Sequence, residues 1–436
     1  MSFTSTNNYM LFKSRREQVI KFLKEKNSNL DNGIIVIFSE FENDRYVFRQ
    51  ESSFYYLTGI NEPGAVLVIY LDGRQILYLP NYGGIREKWS KIDIKIDENV
   101  KELAQYLGFD ELKYLGNSVN SYSFNSIFTK DKYLNFLFDM ENFLNFYKSK
   151  EIFTLLDLDD NSRYFTQIQL YKNLLEIFPE IKDFTSDLAP LIHHLRRYKS
   201  EVEIDLIYKA VQVTNMAHDA AAKVIRPARF ENEIQAIVES VFIQAGALRP
   251  AFPSIVATGK NATILHYTKR DQELKPGDLV VVDIGAEYGY YAADLTRTYP
   301  VSGEFTYRQK EIYDIVLKTQ QYIESIAKPG MFLNNKNIPD KSLNHLAVKF
   351  LKNYGLEKYF FHGIGHFLGL DVHDVGDNSF PLDIGDVFTI EPGLYIPEED
   401  IGIRIEDDFL MVEDGAMCLS FDLPKNAKDI ENLMKE

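Results

Sequence analysis

The chain is short of several features that mark whole classes of protein. It has a single cysteine, Cys418, so no disulfide can form within it. A chain whose cores must hold without covalent cross-links suits a reducing compartment. It has no stretch near the roughly 18 apolar residues that a membrane-spanning helix requires. Positive charge is in deficit, with 48 Lys and Arg against 64 Asp and Glu, a net charge of −16. That balance argues against phosphate neutralisation and against a polybasic membrane anchor, so neither a nucleic-acid nor a membrane partner is expected. Most of the surplus acid reads as solvated surface. The opening residues, Met1-Ser2-Phe3-Thr4-Ser5-Thr6-Asn7-Asn8, lack a basic stretch followed by an apolar one, so no secretory leader is expected. These absences leave a soluble cytoplasmic protein as the expectation.

What is present is ample core material: 45% apolar and 14% aromatic residues across 436 positions. That length and composition predict two domains, 1–180 and 181–436. The first reads as α/β. Residues 13–26 have helical apolar spacing, 33–38 form a buried-strand run, and Asp72-Gly73 between two apolar runs signals a hairpin. The pattern is weak over 115–180, and 183–198 reads as a linker. Beyond it, Ser200-Glu201-Val202-Glu203 and Thr306-Tyr307-Arg308-Gln309 are capping boxes that open helices. A further helix is expected near 342–352. Helices interleaved with antiparallel hairpins make the second domain α+β.

Two matching stretches carry the chemistry. Leu274-Lys275-Pro276-Gly277-Asp278-Leu279-Val280-Val281-Val282-Asp283-Ile284-Gly285 aligns with Leu382-Asp383-Ile384-Gly385-Asp386-Val387-Phe388-Thr389-Ile390-Glu391-Pro392-Gly393, and Asp283 falls on Glu391. Each stretch leads into a hairpin whose return strand bears another acid, Asp294 or Glu406. Each is preceded by a histidine, His266 or His373. A turn at Tyr288-Gly289 would set Asp283 directly opposite Asp294, where like charges repel unless a cation lies between them. A loop centred on Glu398-Glu399 does the same for Glu391 and Glu406. On that return strand Arg404 and Glu406 share a face, so Arg404 is placed to hold a carboxylate.

Between the repeats runs His362-Gly363-Ile364-Gly365-His366-Phe367-Leu368-Gly369-Leu370-Asp371-Val372-His373, with three of the chain's eight histidines. Its glycines permit close backbone approach. Four carboxylates and an imidazole form an oxygen-rich ligand set with no thiolate, which suits divalent Mn, Fe, Co or Zn. Two such ions a few ångströms apart would hold a bridging water, lower its pKa and polarise a carbonyl, which is the chemistry of hydrolysis.

Taken with Ile264-Leu265-His266-Tyr267-Thr268, Asp371-Val372-His373-Asp374-Val375-Gly376, Glu391-Pro392-Gly393-Leu394-Tyr395 and Gly402-Ile403-Arg404-Ile405-Glu406-Asp407, these segments resemble the pita-bread metallopeptidases, and more narrowly the Xaa-Pro aminopeptidases (aminopeptidase P). Residues 48–63 resemble that family's N-terminal domain. The resemblance implies a C-terminal pita-bread, creatinase/aminopeptidase-like domain with a pseudo-two-fold repeat, and an N-terminal creatinase-like α/β domain. It implies that Asp283 binds one metal ion, His366 and Glu391 the second, and that Asp294 and Glu406 bridge. The pair is expected to be Mn2+, with Co2+, Fe2+ and Zn2+ as alternatives. Glu391 would also shuttle a proton, His266, His362 and His373 would line the substrate pocket, and Arg404 would orient the bridging carboxylates. The implied substrates are peptides with proline second, cleaved at the Xaa-Pro bond by the bridging water or hydroxide. The implied assembly is a homodimer or homotetramer. Proline has no N–H to donate and a fixed φ, so a pocket shaped for its ring can exploit it. Tyr395 is a further candidate near the ligands. Trp89 reads as a core residue or a subunit contact, and His193, His194, His218 and His345 as structural. Alternatives are an Xaa-Pro dipeptidase with the same ligands and a metal-free pita-bread binding module.

Overall fold

The computed structural model describes residues 6–26, 30, 32–42, 47–82, 84, 86–88, 92, 94–118, 131–146, 150–156 and 163–435. Trp89 lies outside the described residues. Two compact units are formed, Met1–His193 and His194–Glu436.

The first unit contains α1 (Thr6–Lys26), β1 (Gly33–Phe38), α2 (Ser52–Thr58), β2 (Val66–Tyr70), β3 (Gln75–Leu79), α3 (Val100–Tyr106), β4 (Glu111–Tyr114), α4 (Leu134–Phe146), β5 (Glu151–Thr154), α5 (Phe165–Ile177) and β6 (Thr185–Asp187). They build a six-stranded mixed sheet in the order β4-β3-β2-β1-β5-β6. β1 is apolar and buried along its whole length, as a central strand covered on both faces must be. Phe136, Met140 and Phe143 of α4 and Leu170 and Leu174 of α5 share one buried cluster with Ile34, Val36 and Val68 of the sheet. The expected hairpin forms at Asp72-Gly73, where Gly73 takes φ 109°. The expected linker at 183–198 is instead ordered. It holds β6, paired in parallel with β5, and α6 (Ala189–Arg197), which runs across the division between the units. β6 reads Thr-Ser-Asp and is only partly buried, so it shows no apolar alternation to betray a strand.

The second unit opens with α7 (Glu201–Val224), whose capping box uses Ser200 and Glu203 as expected, and α8 (Glu231–Gln244). β7 (Arg249–Pro250), β8 (Ile255–Thr258), β9 (Leu279–Ile284), β10 (Ala286–Tyr288), β11 (Tyr291–Ala292) and β12 (Leu295–Pro300) follow. Next come α9 (Tyr307–Ile326) with the Thr306–Gln309 capping box, and α10 (Leu343–Lys352). β13 (Val387–Ile390), β14 (Gly393–Ile396), β15 (Ile401–Arg404), β16 (Asp407–Val412), β17 (Gly415–Cys418) and α11 (Ala427–Leu433) complete it. The repeat appears as two three-stranded antiparallel sheets, β12-β9-β8 and β13-β16-β17. Reciprocal backbone hydrogen bonds between Thr296 and Glu406 join them. One large core, including Val280, Val282, Ile390, Phe388 and Ile403, packs beneath both sheets.

One register differs from expectation. Asp283 is opposite Thr296, not Asp294, because β9 pairs with β12 through Ile284 and Leu295. The turn falls at Gly289-Tyr290, where both residues have positive φ (57° and 77°), as a two-residue turn between twisted strands requires. The second hairpin keeps the expected register: Gly393 faces Arg404 and Ile396 faces Ile401. Among the described residues no helix is long and apolar enough to cross a membrane.

Candidate metal centre

Each acid of the sequence pattern sits where a strand ends or turns. Asp283 is the penultimate residue of β9, Asp294 precedes β12, Glu391 follows β13, and Glu406 lies between β15 and β16. Asp283, Asp294 and Glu406 are buried, and the Glu391 side chain is 18% exposed. His366 is carried on the glycine-rich loop, which lies along β13. Its N–H donates to Thr389 Oγ1, its carbonyl accepts from the Thr389 N–H, and the Glu391 N–H donates to Ile364 O. Gly365 is required there because a Cβ would overlap the Thr389 carbonyl.

The His366 ring is oriented by its own loop. Nδ1 is 3.1 Å from the Phe367 carbonyl, which can only accept, so Nδ1 donates there and Nε2 is the nitrogen turned toward the acids. That Nε2 lies 3.3 Å from Asp294 Oδ2, 3.9 Å from Glu391 Oε1 and 4.0 Å from Glu406 Oε1. Ligand atoms of Asp294, His366 and Glu406 all fall within 4.8 Å of one another. Asp283 Oδ1 and Asp294 Oδ1 are buried with no hydrogen-bond donor. A ring nitrogen and orphaned buried carboxylate oxygens converging on one point are what a site for cations presents. The donor set therefore fits divalent metal.

Electrostatics agree. Burial, reinforced by Asp283 and other acids, raises the Asp294 pKa well above the usual carboxylate value, and burial with Asp294 does the same to Glu406. Burial pushes Glu391 up to about 7, against the pull of His366 and Arg404. Arg404 is the one guanidinium placed on the array among the described residues. Its Nη2 donates to Asp283 Oδ2 at 2.5 Å, Nη1 to the Tyr395 hydroxyl at 2.8 Å, and Nε to Thr296 Oγ1 at 3.2 Å.

Because a guanidinium only donates, these bonds fix the next protons in line. Thr296 gives its own proton to Glu406 Oε2 at 2.7 Å. Tyr395 is left to donate to His362 Nε2 at 3.0 Å, while His362 Nδ1 donates to Gly363 O. Burial, then Arg404, hold the His362 pKa down to about 3, so the ring is neutral. Thr296 was missed in the sequence. Its signal is positional: it stands two residues after Asp294 on the same strand face and opposite Asp283.

These groups open on a cavity of about 510 Å³. His266 and His373 line it and are exposed, and the His373 ring lies 4.3 Å from the His366 ring. Phe252, Leu265 and Val372 give it an apolar side. The other described histidines stand apart. His218 is fully buried, within hydrogen-bond distance of the Tyr299 hydroxyl and the Leu295 carbonyl, and burial lowers its pKa to about 3. His345 contacts Ser342, and His193 the Tyr164 hydroxyl.

Residues 205–413 match the model of metallopeptidase family M24, and residues 12–126 that of the aminopeptidase P N-terminal domain. The Xaa-Pro aminopeptidase of Haemophilus influenzae is 34% identical over 97% of this chain and 96% of its own length. The Xaa-Pro dipeptidase of Pyrococcus furiosus is 38% identical, over 57% of this chain and 70% of its own length. The solved structure of Escherichia coli aminopeptidase P with the inhibitor Pro-Leu superposes with a TM-score of 0.80 at 29% identity, covering 98% of both chains. Kinship therefore extends through both units and across the carboxylate array, and the chain belongs to the aminopeptidase P group of metallopeptidase family M24.

Proposed function

We propose that this chain is an aminopeptidase that uses two divalent metal ions to hydrolyse the bond between the first residue of a peptide and a proline in second position. The observation that carries the reading is His366 Nε2 facing three carboxylates, in a chain matched along nearly its whole length by an Xaa-Pro aminopeptidase. In this reading Asp283 would hold one ion, His366 and Glu391 the other, and Asp294 and Glu406 would serve both. The oxygen-rich set favours Mn2+, with Co2+, Fe2+ and Zn2+ as alternatives. When bound, the ions supply Lewis acidity to the scissile carbonyl and lower the pKa of a water.

The chain's own groups do the rest. Glu391, whose side chain lines the cavity beside His366, is placed to accept a proton and pass it to the leaving proline nitrogen. Arg404 orients Asp283 directly and Glu406 through Thr296. Neutral His362, held by Tyr395, shapes the proline site, and His266 and His373 contact the peptide. A homodimer or homotetramer and a cytoplasmic location belong to the same proposal, supported by the resemblance.

A dipeptidase would use the same ligands. The match of residues 12–126 to the aminopeptidase P N-terminal domain favours the aminopeptidase. The test is to strip the protein of metal, restore Mn2+, and offer a tripeptide with proline second beside the corresponding dipeptide. Release of the first residue from the tripeptide, with the dipeptide intact, is the expected result. Cleavage of the dipeptide alone would make the chain a dipeptidase. Inactivity toward both with two ions bound would leave the binding-module reading.

A further inference from the structure

Glu231, the first residue of α8, is wholly buried, yet it lies outside the carboxylate array. Its two oxygens accept four hydrogen bonds, all from residues 258–272. Oε1 accepts from the Thr258 N–H at 2.8 Å and Asn261 Nδ2 at 3.2 Å. Oε2 accepts from the Tyr267 hydroxyl at 2.9 Å and the Gln272 N–H at 3.1 Å. The donors sit at both ends and in the middle of the 259–272 loop, which follows β8. Backbone bonds from Glu231 N to Gln272 O and from Leu274 N to Arg229 O close its far end. Leu265, His266 and Thr268 of this segment line the cavity, while Tyr267 between them is buried against Ile255 and Ala257. Burial and the Glu231 contact raise the Tyr267 phenol to about 12, so it keeps the proton it donates.

We infer that Glu231 is a positioning residue for substrate binding: its carboxylate anchors Tyr267 and the ends of the 259–272 loop, and so sets His266 against the cavity. The inference rests on the reading of His266 as a peptide contact. A fully satisfied buried carboxylate holds a loop in one arrangement, and losing one partner leaves the others unpaired. Glu231→Gln keeps the shape but turns an NH2 toward two donors. Tyr267→Phe removes one donor and keeps the ring.

The test uses the metal-loaded enzyme and these two variants, each alone and combined with His266→Ala. In Glu231→Gln, kcat/KM for a proline-second tripeptide should fall about ten- to hundredfold, the scale of a displaced binding group. Tyr267→Phe should fall less, in the same sense, and it carries the test if Glu231→Gln does not fold. Metal content should stay at the wild-type value, and amides of 259–272 should exchange faster while those of β9 and β12 do not. On the His266→Ala background neither variant should slow the reaction further. An equal slowing with and without His266 would overturn the inference, as would a loosened loop with unchanged kcat/KM, or an unchanged loop. If the wild type cleaves no Xaa-Pro peptide, the functional reading falls, and the exchange data alone decide whether Glu231 clamps the loop.

Discussion

Replacing Glu391 with Gln should make the metal-free protein gain stability on the wild type as pH rises. Burial lifts the Glu391 pKa from its ordinary value of 4.5 to about 7 in the folded chain. A carboxyl whose folded pKa is raised binds its proton more tightly when folded. Its contribution to stability is fully present below about pH 4.5 and is lost as pH rises through about 7. The full difference is about 3 kcal/mol, and roughly 2 to 3 kcal/mol of it falls between pH 5 and pH 8. Glu391→Gln keeps the volume and removes the titration, so it should gain that amount on the wild type over this interval. The comparison also cancels the opposing trend of His218 and His362. Burial lowers both to about 3, so each loses stability as pH falls through the ordinary histidine value. The assay is guanidinium denaturation of chelator-treated protein at pH 5 and pH 8, with exchange of the β9 amides reporting on the second unit. Parallel pH dependences would refute the reasoning, because Glu391 would then titrate alike folded and unfolded. With ions bound the wild-type trend should invert, since ligands must lose protons to bind and the stabilisation by metal grows with pH.

His366→Ala removes the imidazole that shares a ligand cluster with Asp294 and Glu406. Metal measured after dialysis should fall below two per chain, and affinity should drop by more than the roughly 10- to 100-fold typical of outer-shell changes. Arg404→Lys cannot reach Asp283, Thr296 and Tyr395 together, because a lysine has no planar fork. We expect kcat to fall roughly 10- to 100-fold with KM little changed, and no recovery at saturating Mn2+. Gly365→Ala drives a methyl into the Thr389 carbonyl. It should destabilise the second unit by about 3 kcal/mol, read as a lower melting temperature, and should displace His366 enough to lower metal affinity.

Much of the fold was legible because its signals are local. The capping boxes at Ser200 and Thr306 are read from four residues each, and both open the helices they announce. β1 is a run of apolar residues with no polar interruption. What stayed hidden depends on distant partners. β6 is a strand only because β5 lies beside it, and three partly exposed polar residues carry no periodic mark of that. Glu231 looks like any acidic first-turn residue, and its burial depends on a loop that closes over it from some 27 to 41 positions further along the chain.

The site was legible for a different reason, and the register error shows which. Placing the turn one residue early made Asp294 the partner of Asp283, whereas the partner is Thr296. The slip moves the pairing by two positions, and side chains on a strand alternate with a period of two, so every residue stays on the face it was assigned. Asp283, Asp294 and Thr296 therefore converge with or without the right turn. A slip of one would have sent the acids to opposite faces and dissolved the site. Face assignment is thus the robust product of sequence reasoning, and contact assignment the fragile one. Thr296 is where the difference matters chemically. By standing opposite Asp283 it receives the Arg404 Nε–H and hands its own proton to Glu406, tying the acids of the two repeats to one guanidinium. That tie needs a hydroxyl at the exact cross-strand position, which no face count could have named.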